Sequence, residues 1–164
     1  NSRAVLGYDD ATRTLWLRGA IELGAATEFL AALQTHPLTQ TIALESPGGY
    51  VSESQAMAGE ILKRHLDTYA PEKSASACVD LFAAGEKRWA GPRTMFGLHR
   101  SGHECRPDQG LTRADLRAAS FLRERGVAED FIDRAFETPY DRLWKPDVRT
   151  VLESGLATGV REGG

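Results

Sequence analysis

Three short stretches of this 164-residue chain hold residue types that together can do nucleophilic chemistry. The first is Leu44-Glu45-Ser46-Pro47-Gly48-Gly49-Tyr50-Val51. An apolar run that ends on Pro-Gly-Gly exposes backbone N–H groups, and glycine lets another molecule reach the main chain without a Cβ in the way. Such amides can stabilise a developing oxyanion when they point at it. An isolated Pro-Gly-Gly is equally a plain tight turn. The second stretch is Ser74-Ala75-Ser76-Ala77-Cys78-Val79-Asp80, running on to Ala84-Gly85. A hydroxyl at a helix N-terminus faces the positive end of the dipole, which favours an anionic intermediate. Ser74 or Ser76 can as well be a simple helix cap. The third is Met95-Phe96-Gly97-Leu98-His99. His36 precedes Pro37, His65 ends a polar-faced helix, and His103 lies in a Gly- and Pro-bearing loop. Only His99 terminates an apolar, strand-like run. No group of His, Cys and carboxylates has metal-ligand spacing, so no metal is expected.

These residues need elements to hold them. Residues 4–8 and 13–18 flank the polar turn Asp9-Asp10-Ala11 and read as a hairpin. Residues 24–33 have helical spacing and stop before His36-Pro37. Residues 41–45 read as a strand halted by the Pro-Gly-Gly turn. Residues 51–65 return to a helical period, with Val51, Ala58, Ile61 and Leu62 sharing one face. A second strand-then-helix unit follows: 66–70, the turn Pro71-Glu72-Lys73, then a helix over 76–84. Residues 88–90 and 94–98 read as short strands, and 100–110 as an exposed loop. Thr112 to Asp115 form a capping-box variant that opens a helix to about Arg125. Further helices are expected over 128–136 and 147–153, the last ended by Gly155. This alternation predicts an α/β fold with a central sheet and helices packed outside.

Taken in order, the three stretches resemble the ClpP/crotonase superfamily, and within it the Clp protease proteolytic subunit. In that family a Ser-Pro-Gly-Gly turn comes first. A nucleophilic serine follows at the start of a helix ending in Ala-Gly, and then a histidine. Ser46-Pro47-Gly48-Gly49 matches the turn letter for letter. Counting back from Ala84-Gly85 puts the family's nucleophile on Ser76, and its histidine falls on His99. The family's acid falls on Asp141, in Asp141-Arg142-Leu143. The likeness is close over residues 41–99 and loose over 128–160.

The resemblance implies one ClpP-like domain over residues 1–164, built of repeated strand-strand-helix units. It implies a serine hydrolase, an endopeptidase, with Ser76 as nucleophile, His99 as base and Asp141 orienting the ring. The N–H groups of Gly49 and Ala77 would form the oxyanion hole, with Gly48 against the substrate. It implies no cofactor, a peptide or protein substrate and a homo-oligomer. An unfoldase or membrane partner is not readable from the chain. Ser74 is the alternative nucleophile, and Lys73 the alternative base, as in Ser-Lys relatives. Two departures stand out. Asp80 occupies the nucleophile helix where relatives carry an apolar residue, on about the same face as Ser76. The segment from Asp141 to Gly155 is longer than the Clp pattern. They leave two rival classes: a non-catalytic scaffold or binding module of the same fold, and a crotonase-like acyl-CoA enzyme.

Composition narrows the rest. With 41% apolar and 26% charged residues, the chain is not a disordered tail. Twenty basic and 23 acidic residues give a net charge of −3 without a basic cluster, which excludes nucleic acid as the expected partner. Apolar runs fall well short of the roughly 18–20 residues of a membrane span. Cys78 and Cys105 are expected as unpaired thiols near the core, or as a disulfide in an oxidising compartment. The chain opens on Asn1 without an initiator Met. Its resemblance to bacterial members with exported-looking leaders leans to an exported or periplasmic location.

Overall fold

The computed structural model describes residues 2–102 and 110–162. Cys105 and His103 lie outside the described residues, as does most of the expected loop. The hairpin forms from β1 (Val5–Asp9) and β2 (Thr14–Arg18), paired antiparallel. β1 alternates exposed and half-buried side chains, as an edge strand with one face on the protein should. Helix α1 (Ala25–Thr35) buries Ala25, Phe29 and Leu33, spaced four apart on one stripe. The next strand, β3 (Thr41–Glu45), is buried along nearly its whole length, because it is central and covered on both faces. After it come α2 (Val51–Lys63), β4 (Asp67–Ala70), β5 (Lys73–Ala75) and α3 (Ala77–Ala83). The chain continues through β6 (Arg88–Ala90), β7 (Met95–Gly97), α4 (Arg113–Glu124), α5 (Glu129–Glu137), α6 (Val148–Ser154) and β8 (Gly159–Val160).

Six strands make the main sheet in the order β1-β2-β3-β4-β6-β8, parallel from β2 onward. β5 and β7 pair parallel in a small second sheet. Each thus follows a main-sheet strand, so β4-β5-α3 is a strand-strand-helix unit of the expected kind. Lys73 was expected in a turn, yet it opens β5. A three-residue strand shows no period of its own and exists because β7 supplies its partner. The backbone of Ser46 pairs with β5, accepting from Ala75 N–H and donating to Lys73 C=O. The Pro-Gly-Gly turn and the start of α3 are thereby clamped side by side.

The buried cluster runs from Leu15, Leu17, Ile42 and Leu44 in the sheet to Phe29, Met57, Ile61 and Phe82 on the helices. Cys78 belongs to it as a fully buried free thiol, and burial pushes that thiol up to about 12. Arg88 brings a cation into this interior. Its guanidinium donates to the carbonyls of Gly85, Arg125, Gly155 and Leu156 at 2.7–3.1 Å. Those carbonyls follow α3, α4 and α6, so one cation ties three helix C-termini together.

Candidate active site

The strand-to-helix step from β5 into α3 bends sharply at Ser76, whose φ of 55° and ψ of −126° lie where side chains rarely sit. The bend is held from both sides. Ser76 N–H donates to Gly97 C=O at 2.8 Å, and Ser76 C=O accepts from Val79 N–H at 2.9 Å. It lifts the side chain out of the packed helix start, and Ser76 is half-buried while Ala77, Cys78 and Val79 are buried. Ser76 Oγ lies 2.9 Å from His99 Nε2. Ser74 has no such reach: it is fully buried in β5.

His99 follows β7 and is fixed by the chain running antiparallel beside it. Leu98 and Trp144 exchange both backbone hydrogen bonds at 2.9 Å, and Arg100 N–H donates to Thr138 C=O at 3.0 Å. Between these ties, Tyr140 presents its main-chain carbonyl to His99 Nδ1 at 2.7 Å and stacks its ring on the imidazole. A carbonyl can only accept, so the Nδ1 atom carries the proton. Nε2 is then the bare nitrogen, free to accept the Ser76 hydroxyl proton.

That arrangement corrects one expectation. Asp141 does not hold the imidazole. The Tyr140 carbonyl occupies the position expected for its carboxylate, and Asp141, exposed one residue further on, makes no hydrogen bond among the described residues. The turn closed by Arg142 N–H on Pro139 C=O turns the main chain, not the carboxylate, toward the ring. Removing the acid of an established triad costs about ten-thousand-fold because the ring takes the wrong tautomer. Here the carbonyl fixes the tautomer. Asp141→Asn should therefore label with a fluorophosphonate within about threefold of the parent rate, and a hundredfold loss would restore the carboxylate to the mechanism.

The Pro-Gly-Gly turn packs against Ser76. Gly48 is buried, and a Cβ on it would stand 2.7 Å from Ser76 Cβ. Its N–H donates to Ser46 Oγ and its C=O accepts from Ile21 N–H, so its polar groups face the protein and it forms the floor of the cleft. Gly49, by contrast, is exposed. Among the described residues, neither Gly49 N–H nor Ala77 N–H has an acceptor. Both flank Ser76. Around the pair an open cleft of about 910 Å³ is lined by Pro47, Gly48, Gly49, Tyr140, Asp141 and Lys145, among others. Asp80 lies one turn beyond Ser76 on α3, partly buried and unpaired among the described residues, and burial raises its carboxyl to about 7. Among the described residues no group of His, Cys, Asp and Glu could hold a metal ion.

An α/β chain with strand-strand-helix units and a serine-histidine pair at a strand-to-helix bend has the ClpP-like fold. It superposes on ClpP1 from Listeria monocytogenes with a TM-score of 0.75 at 20% identity, covering 94% of each chain. It also superposes on a peptidase from Plasmodium falciparum with a TM-score of 0.70 at 13% identity, over 93% of this chain and 97% of that one. No protein-family model and no curated protein sequence matches the chain.

Proposed function

We propose that the chain is a serine hydrolase acting on peptides, with Ser76 as nucleophile and His99 as base. The observation that carries this reading is the 2.9 Å approach of Ser76 Oγ to the bare Nε2 of His99. Ser76 Oγ attacks the substrate carbonyl carbon while its proton passes to Nε2. The imidazolium then gives that proton to the leaving amine as the C–N bond breaks, and water hydrolyses the acyl-enzyme by the same route. The unpartnered N–H groups of Gly49 and Ala77 take the oxyanion. The Tyr140 carbonyl orients the ring but brings no negative charge to the imidazolium. The peptidase neighbours in fold support a peptide substrate. A homo-oligomer belongs to the same reading, and the exposed Leu111, Leu116 and Leu152 around α4 and α6 are apolar surface for it.

A fluorophosphonate probe followed by peptide mapping tests the assignment. The adduct should sit on Ser76, with none on the buried Ser74. An unlabelled protein, or an adduct elsewhere, would remove the hydrolase reading.

A further inference from the structure

A second, narrower cavity leads inward from Ser76 and His99, between α3, α4 and α5. Beyond Ser76 and His99 its wall is mostly apolar, made by Val51, Val79, Leu98, Leu122 and Phe136, with Ser101 and two carboxylates, Asp80 and Asp115, as the polar groups. The two differ in what they already hold. Asp115 accepts from Ser101 N–H, Thr112 N–H and the Thr112 hydroxyl at 2.7–3.1 Å, so it is committed to capping α4. Asp80 has no hydrogen-bond or ion-pair partner among the described residues. Arg117 lines the outer groove that Asp80 also borders, but makes no ion pair with it. A carboxylate left half-buried without a partner is costly, and a cation seated beside it would remove that cost.

The dimensions say which cation. Four residues along a helix turn through roughly 400° and rise about 6 Å, so Asp80 lies almost directly beneath Ser76. A side chain entering past Ser76 must span that height along apolar walls before it meets the acid. The cavity holds about 50 Å³, room for roughly three or four waters, which is enough for one slender side chain. Lysine has this form: a flexible four-carbon stem with a compact ammonium at its tip.

We propose that this cavity receives the side chain of the residue whose carbonyl Ser76 attacks, and that Asp80 makes the site select lysine there. The inference rests on the hydrolase reading above and names the substrate class of that same site. The stem lies against Val79, Leu98 and Leu122, and the ammonium donates to Asp80. Burial has raised the Asp80 carboxyl, and the arriving cation favours its ionised form.

The test uses two phosphonate probes alike except at one position, a lysyl side chain in one and its isosteric norleucyl counterpart in the other. An unsubstituted fluorophosphonate is run alongside. The lysyl probe should label Ser76 at least about tenfold faster than the norleucyl probe, about the tenfold that 1.4 kcal/mol represents. In Asp80→Asn, and again in Asp80→Leu should the amide fold poorly, that ratio should fall to one or below. Because the ratio is internal to each variant, a general loss of reactivity does not move it. Equal rates in the parent, or a ratio that survives both substitutions, would overturn the lysine assignment while the unsubstituted probe still labels Ser76. Failure of all three probes on the parent would overturn the hydrolase reading and this inference with it.

Discussion

Gly49→Ala should slow fluorophosphonate labelling of Ser76 by at least about a hundredfold, the cost of losing one oxyanion donor, with the far-UV dichroism of the parent retained. Gly49 has a φ of +151°, and a Cβ built on it would stand 2.0 Å from Ile21 O, 2.7 Å from Ile21 C and 2.9 Å from Ile21 N. These are backbone atoms, so no side chain can swing aside. Nor can Ile21 retreat, because its N–H donates to Gly48 C=O at 2.8 Å and its C=O accepts from Tyr50 N–H at 2.9 Å. The alanine is accommodated only by rotating the peptide units on either side of residue 49, at the expense of those hydrogen bonds to Ile21. That rotation re-aims the residue 49 N–H in the cleft that Gly49 and Ser76 both line. The Ser76–His99 and His99–Tyr140 hydrogen bonds involve other segments and stay in place. The variant thus separates a missing oxyanion donor from a missing nucleophile. A labelling rate within about threefold of the parent would show that the Gly49 N–H holds no oxyanion.

The parts of this site that sequence could reveal are the parts made by side-chain type. A serine among small residues, a Pro-Gly-Gly turn and a histidine ending an apolar run each leave a mark in the letters. The family resemblance that these marks carry points to Ser76 and His99, and the two side chains lie 2.9 Å apart. The group that orients the imidazole left no mark, because it is a main-chain carbonyl that every residue possesses. The resemblance places the acid on Asp141, one residue beyond the one whose carbonyl makes the bond. The fold divides the same way. β1 to β4 and the helices carry period and stop signals long enough to read. Lys73-Ser74-Ala75 and Gly159-Val160 are too short, and become strands only where β7 and β6 offer them edges. Asp80 was legible as a departure, but its meaning needed the cavity.

Arg88 shows the same limit in the core, and its removal is expected to be the largest stability loss in the molecule. In sequence it is one arginine in a short strand. In the fold it is 6% exposed and surrounded by the ends of three helices. It has no carboxylate partner among the described residues, and burial, then the neighbouring Arg125, pull its pKa below the ordinary value. A guanidinium stays charged even so. Four carbonyls compensate that charge, each at a helix end where no intrahelical N–H reaches. Arg88→Met keeps the apolar stem and leaves the carbonyls of Arg125, Gly155 and Leu156 without that donor. Arg125 still reaches Ala83 C=O and Gly85 C=O, so it relieves the end of α3 but not that of α6. Hydrogen bonds from a charged donor contribute about 1.5–3 kcal/mol each, and part of the cost of desolvating the cation is recovered on its removal. The net loss should be about 3–5 kcal/mol, a large share of the roughly 5–15 kcal/mol that holds a typical domain folded. Urea unfolding should show the lower midpoint with an unchanged slope. Arg123→Met is the matched comparison. Arg123 makes two 2.8 Å hydrogen bonds to Glu129, yet both side chains are more than half exposed, so its loss should barely move the midpoint. Should the two variants unfold at the same urea concentration, water must reach the helix ends around Arg88, and the cation would not be what joins them.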